Sequence, residues 1–322
     1  MTADADAAGS AGRVRGFGRV RAAGRPRASR RSRADRRTWG LAYLFVAPTV
    51  LLTVVFSIVP LVILGWRSLQ KGNVFGTSLK FVGLRNYKDM LAEGGGRTLG
   101  VTAEYTVAFV LLTMLLGLAL ALLLNARVPG TRRLRAPFII PLVVPAVATA
   151  LIWSNLFAPR FGLLNRLLSG LGMDEIDFMS RPGPALAMVI LFGTWQFFGQ
   201  NVILYLAALK SIPQDVLEAA SVDGAGTWGR FRHMQWPMLR RNTLLILVVT
   251  TLTGLQTFTQ IYVLTSGGPD GATRTALYYV YDEGFAKFDA GRADAMGMLL
   301  FLISLAVTGL QIAMLGRRDD RA

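Results

Sequence analysis

The stretch 211–239, SIPQDVLEAASVDGAGTWGRFRHMQWPML, decides how the rest of the chain is read. It interrupts a run of apolar blocks, yet it is patterned for structure. Ser211 and Gln214 have the spacing of a capping box, and Pro213 falls in a first turn, where a missing N–H is harmless. Val216, Leu217 and Ala220 recur at helical spacing. Glu218-Ala219-Ala220 sets one acid beside two side chains too small to hold a partner away. Gly224 and Gly226 end this helix. Thr227 then caps a second helix, which carries Trp228, Phe231 and Met234 and stops at Pro237. The expected product is a two-helix knob with a small-residue tip, fitted to enter a cleft on another protein. An ordinary amphipathic surface helix is the competing reading.

Outside this stretch the chain is apolar in blocks. Of 322 residues, 52% are hydrophobic and only 17% charged, too few charges for a soluble domain of this length. Six blocks have the roughly 20 residues that a bilayer crossing needs: 41–65, 101–125, 136–157, 184–206, 243–265 and 295–315. The expected fold class is therefore all-α, a polytopic membrane protein of six transmembrane helices in one domain, 39–318. The loop 207–242 carries the knob, and short tails occupy 1–38 and 319–322.

A formal net charge of +16 raises nucleic acid as a partner, but the distribution of charge speaks for a membrane. Eleven of the 35 Lys and Arg residues lie in the first 40, and 23 fall on one side of the spans against 12 on the other. Positive residues favour the cytoplasm, so both termini and the 207–242 loop face inward. The Arg-rich tail 1–38 has few large apolar side chains and reads as disordered, with the anionic leaflet as its partner. The block after it is too long for a signal peptide and lacks a small-residue cleavage site, so it stays as span one, kinked at Pro48 and Pro60. Three prolines in nine residues, Pro137, Pro141 and Pro145, bend or unwind the start of span three.

The chemistry is restricted. There is no cysteine, the single histidine is His233, and no G-x-x-x-x-G-K-[ST] stretch exists to hold ATP. Thiolate chemistry, a histidine metal cluster and a self-contained ATPase are excluded. Glu104 is the one acid or base within a predicted span, and it sits at the outer edge. With neither a P-loop nor charged groups at mid-membrane, the chain takes its energy through a docking surface, and the Glu218 loop is the candidate. Sodium held by backbone carbonyls leaves a stand-alone ion-coupled secondary transporter as the alternative. Neutral polar groups line the spans: Trp153 and Asn155 in span three, Gln196 and Gln200 in span four, Gln256 and Gln260 in span five. Each glutamine pair is four apart, hence on one helix face. Amides beside aromatic rings suit a neutral polyhydroxylated ligand; equally, such glutamines bond neighbouring helices.

Glu218-Ala219-Ala220, Gly224 and Met234-Gln235-Trp236-Pro237 together resemble the signature loop of permease subunits in ABC importers. Met234 and Trp236 stand where that family usually has Ile and Leu. Asp223-Gly224-Ala225 is similar to the sugar-importer branch, as are Phe81-Val82-Gly83-Leu84-Arg85-Asn86-Tyr87 and Gly162-Leu163-Leu164-Asn165. Thr265-Ser266-Gly267-Gly268-Pro269, Ala272-Thr273 and the aromatic run from Tyr278 to Phe285 resemble the glycerol-phosphate and maltose types. The resemblance implies the type I importer fold and a non-catalytic subunit of a bacterial inner membrane. It implies ATPase coupling through Glu218, Ala219, Ala220, Asp223, Gly224 and Pro237. The implied partners are a second permease, two ATPase copies that carry the ATP and Mg, and an extracytoplasmic solute-binding protein. No cofactor or metal is implied on this chain.

Overall fold

The computed structural model describes residues 43–72, 79–125, 135–159 and 161–319. The Arg-rich tail, the basic turn 126–134 and the last three residues lie outside them. The chain divides into two units, 1–58 and 59–322. In the first, residues 43–58 are helical and every side chain is exposed, Phe45 at 77% and Phe56 at 72%. Such a surface is stable in hydrocarbon and not in water.

The second unit is built from helices. The helix that starts at Tyr43 ends at Arg67 (α1). A short antiparallel hairpin pairs β1 (Gln70–Lys71) with β2 (Lys80–Phe81). Then come α2 (Arg85–Met90), α3 (Gly96–Asn125), α4 (Arg135–Val143), α5 (Ala146–Leu156), α6 (Leu163–Gly170) and α7 (Pro182–Lys210). The remainder is α8 (Gln214–Val222), α9 (Thr227–Arg230), α10 (Trp236–Leu255), α11 (Thr259–Leu264), α12 (Ala276–Tyr281) and α13 (Ala290–Asp319). The protein is thus all-α and polytopic. Among the described residues, five helical stretches are long and apolar enough to cross a membrane, and the bent pair α4–α5 makes a sixth when read as one span.

The spine is the pair α3 and α7, which run in the same direction. Their backbones approach closely because glycine faces bulk: a Cβ on Gly193 would meet the Tyr105 hydroxyl at 2.2 Å, and one on Gly117 would meet Asn201 Cβ at 2.6 Å. One core cluster gathers Tyr105, Phe109, Val189, Phe192 and Ile261; a second gathers Leu124, Tyr205, Leu209, Ile212, Leu239 and Ile246 toward the other end. Around this spine two spans are broken. α4 and α5 meet at 106°, with Pro145 extended between them. α10 stops at Leu255, and Phe258 is non-helical before α11 resumes.

The residues 81–87 have a plain structural role. Asn86, 4% exposed, donates to the carbonyls of Ser68 and Gln70 at 2.8 Å each, while the hydroxyls of Tyr87 and Ser68 lie 2.7 Å apart. These contacts pin the hairpin beside α13.

Candidate functional site: two clefts at opposite ends of one helix

The knob forms, with corrections to its limits. α8 begins after Pro213, which precedes the first turn. The N-cap of α8 is Pro213, with no side-chain cap bond, and the Ser211 hydroxyl donates to Ala208 O at 2.8 Å, closing the end of α7. At the far end of α8 the chain turns on Gly224, at φ +79°, with Gly224 N–H donating to Ser221 O at 3.2 Å and Ala225 N–H to Ala220 O at 3.0 Å. That pair of bonds is a full Schellman closure, which needs a residue free to adopt positive φ. Gly226 supplies the start of α9 and Thr227 is its first residue, with no side-chain cap.

The second helix does not stop at Pro237. It runs from Thr227 through a π-turn, Phe231–Gln235, into α10, where Pro237 lies in the first turn. The π-turn sends the Trp236 N–H to Phe231 O, so the ladder is already shifted where proline's missing donor falls.

Glu218, Ala219, Asp223 and Gly224 are exposed, and so are Val222 at 88% and Trp228 at 69%. Ala220 is not part of the tip: it is 3% exposed and turned into the knob. Arg230 Nη1 donates to the Ser221 hydroxyl at 2.9 Å, tying the two helices together. Between them and the end of α3 lies a cleft of about 740 Å³, lined by Gln214, Leu217, Glu218, Trp228 and Arg230 together with Leu122 and Asn125.

A second cleft, about 390 Å³, lies at the other end of α3. Arg97 and Thr98 line it, with Ser266, Asp270, Arg274, Tyr278 and Asp282. α3 has 30 residues, so its ends stand about 45 Å apart. The loop over this cleft is held by hydroxyls. Thr265 and Thr273 pair at 2.7 Å, Thr273 donates to Gly268 O at 2.8 Å, and Thr275 donates to Thr257 O at 3.1 Å. Behind it Arg274 donates to Asp282 and, at 2.9 Å, to Glu283, while its guanidinium lies 4.4 Å from the Tyr279 ring centre. Lys287 meets Glu283 at 2.7 Å and Asp282 at 3.1 Å. Burial, with the Glu283 carboxylate adding to it, pushes the Tyr279 hydroxyl up to about 12.

The predicted pathway residues separate. Gln196 is 3% exposed and engages the break between α4 and α5: its Nε2 donates to Pro141 O and Val144 O at 3.3 Å each, and its Oε1 accepts from Thr149 at 3.2 Å. Gln200 lies partly buried beside Phe197, Asn201 and Thr250. Gln256 and Gln260 do not share a face, since the helix breaks between them: Gln256 is exposed, while Gln260, 6% exposed, donates to the Tyr105 hydroxyl at 3.0 Å. Trp153 stacks on Phe157 at 5.1 Å and abuts Phe192 and Trp195, and exposed Asn155 bonds back to Leu151 O. Glu104 is exposed near the second cleft's end of α3. Asn201, whose Oδ1 accepts from Thr250 at 3.1 Å, and Tyr105 were absent from the sequence-based set. Polar groups inside apolar runs were the signal for both.

The apolar bundle thus carries an exposed knob bearing Glu218 at one end and a polar loop cleft at the other. Residues 113–318 match the family described as binding-protein-dependent transport system inner membrane component. The chain belongs to that family. Among relatives of this permease, the trehalose/maltose transport system permease protein MalF of Thermococcus litoralis is 35% identical over 269 residues, covering 83% of this chain and 91% of that protein. The sn-glycerol-3-phosphate transport system permease protein UgpA of Agrobacterium fabrum is 34% identical over 280 residues, covering 86% and 95%. In fold the permease is similar to a chain of a bacterial ABC transporter that imports the acidic polysaccharide alginate, with a TM-score of 0.76 at 22% identity over 88% of this chain and 97% of that one. The permease is a transport subunit of an inner membrane, and the stand-alone ion-coupled reading is not favoured.

Proposed function

We propose that the permease forms half of the translocation pathway for a sugar or related polyol. A cytoplasmic ATPase drives it through the knob, with Glu218, Ala219, Asp223 and Gly224 at the contact, Ala220 packed behind them and Pro237 setting the start of α10. The knob, the termini and the loop 207–242 face the cytoplasm, within one membrane domain spanning 39–318. A second permease completes the pathway, two ATPase copies carry ATP and Mg, and an extracytoplasmic binding protein delivers the ligand. The names of the relatives MalF and UgpA support the ligand class.

One observation carries the coupling role: an exposed acid and a small, tightly closed turn project from the loop joining α7 directly to the span containing α10. A force on that loop reaches two spans at once. The test is Glu218→Ala. If Glu218 is buried against a cation of the ATPase, its loss costs on the order of 3–5 kcal/mol of interface. Ligand-stimulated ATP hydrolysis should uncouple from uptake in membrane vesicles. Coupling at the wild-type level would sink the assignment, and gradient-driven uptake by this chain alone would restore the secondary-transporter reading.

A further inference from the structure

Tyr278 joins two features. It is the aromatic side chain in the lining of the 390 Å³ cleft, and it belongs to a set of five rings spread over two elements. Phe258 lies in the break before α11 and Tyr262 in α11 itself; Tyr278 and Tyr281 come from α12 and Phe285 from the turn after it. Neighbouring centroids lie 6.4 Å apart for Phe258–Tyr278, 6.2 Å for Tyr278–Tyr281 and 5.1 Å for Tyr262–Tyr281. Tyr262 and Phe285 are 45% and 65% exposed, so the ring set opens to the surface.

The rest of the lining is polar and balanced in charge. Arg97 and Arg274 contribute two cations, Asp270 and Asp282 two anions, and Ser266 and Thr98 add hydroxyls. Arg274 is already engaged by Asp282 and Glu283, whereas Arg97 and Asp270 make no ion pair among the described residues. A pyranose ring has an apolar C–H face and a rim of hydroxyls. An aromatic face covers the first, and a carboxylate with a guanidinium takes adjacent hydroxyls of the second. With Asp282 paired to Arg274 and Lys287, a phosphate monoester would meet one uncommitted arginine, Arg97, beside one uncommitted carboxylate, Asp270, so the lining offers it no excess of positive charge. The volume falls within the range of about 300–1,000 Å³ usual for small-ligand sites.

We propose that this cleft is an outer subsite for a neutral saccharide, with the Tyr278 ring under the sugar and Arg97 and Asp270 on its hydroxyls. The inference rests on the sugar-or-polyol reading above and narrows it to neutral saccharides over polyol phosphates.

The experiment has two arms. In the first, the full chain in lipid nanodiscs is titrated with a panel of neutral mono- and disaccharides, trehalose and maltose included, and separately with sn-glycerol 3-phosphate. Binding is read by calorimetry and saturation-transfer NMR. At least one saccharide should bind saturably; Tyr278→Ala and Asp270→Asn should each weaken it by tenfold or more, and Tyr278→Phe should keep it. Asp270 lies in an exposed loop at φ +49°, a conformation that Asn tolerates, so Asp270→Asn decides the matter if Tyr278→Ala does not fold. No saccharide binding, binding indifferent to both variants, or tighter binding of glycerol phosphate overturns the subsite. In the second arm, uptake of the same compounds is measured in cells carrying the intact transporter. Saccharide uptake without binding in nanodiscs overturns the subsite alone; no uptake of any sugar or polyol overturns the function on which it rests.

Discussion

Gln196 separates two readings of the polar groups in the membrane, and replacing it with leucine distinguishes them. Its amide bridges both arms of the 106° break: two donated bonds to Pro141 O and Val144 O, and one accepted from Thr149 at the start of α5. All three are long, 3.2–3.3 Å, so each belongs at the weak end of the range. Side-chain bonds between membrane helices contribute about 0.6 kcal/mol each, hence roughly 2 kcal/mol for three. Leucine also leaves two carbonyls at a helix break without a donor, which adds on the order of 1–3 kcal/mol in a site this buried. Gln196→Leu should therefore destabilise the permease by about 3–5 kcal/mol, read as a lower denaturant midpoint by circular dichroism in detergent. Uptake should lose maximal rate, because the broken span no longer holds one angle. Gln196→Glu keeps the shape, but a carboxylate cannot donate to Pro141 O and Val144 O and would bury a charge beside them, so its loss should equal or exceed that of leucine. If Gln196 instead contacts ligand, leucine would raise the half-saturating concentration and leave stability unchanged; that result would refute the clasp.

Other positions test other links. Gly199→Ala places a Cβ 2.0 Å from Phe138 O, a backbone atom that cannot step aside, so α4 must shift against α7 at a cost of about 1–3 kcal/mol in the same denaturation assay. A Cβ at Gly224 meets no atom within 4 Å, so the penalty of Gly224→Ala is backbone strain at φ +79°, roughly 1–2 kcal/mol; pull-down of the ATPase should fall, and normal recovery would count against the knob as its dock. Asp177 is held below the usual carboxylate range first by the Ser180 N–H, then by the Ser180 hydroxyl and the Met179 N–H. A depressed folded value stabilises above the unfolded value of about 3.9 and fades as pH drops through the folded one, so the thermal midpoint of Asp177→Asn should trail wild type at neutral pH and converge on it in acid.

How far the sequence could be read depended on how local the physics was. Pro137, Pro141 and Pro145 announced a broken third span, because proline removes a backbone donor wherever it sits. They could not announce the angle, which depends on Gln196 reaching over from α7, more than 50 residues away. Pro237 was misread for the converse reason: a π-turn just ahead of it absorbs the missing donor, and no sequence rule foretells that turn. Ser211 had the spacing of a cap, but α7 continued to Lys210 and claimed its hydroxyl. Gln256 and Gln260 looked like one face only while span five was assumed continuous. The break at Phe258 is fixed from outside the helix, by Thr275 on the Thr257 carbonyl and by Tyr105 on Gln260, and such partners are invisible to a local window. The Arg274–Asp282–Glu283–Lys287 network was hidden in the same way, inside a stretch noticed only for its glycines and rings.

The distribution of breaks among the spans bears on how the knob can act at a distance. A bundle of unbroken helices would carry a push at one end undiminished to the other, and both ends would open together. α3 and α7 come close to that limit: they are continuous over 30 and 29 residues and locked where Gly193 meets Tyr105 and Gly117 meets Asn201. α7 runs into the knob through Ile212, which is buried in one cluster with Leu209 and Leu239, so motion of α8 reaches both α7 and α10 through packed side chains. The spans beside that spine lose their continuous backbone ladder at Val144–Pro145 and at Gln256–Phe258. Beyond the second break, α11 answers to the 390 Å³ cleft through Thr257 and Thr275 and to the spine through the Gln260–Tyr105 bond. Displacing α10 from the knob side therefore need not carry α11 with it: the loop cleft can stay closed on its own hydrogen bonds while the other end rearranges. The proposed transport cycle calls for that independence, and the two breaks can supply it.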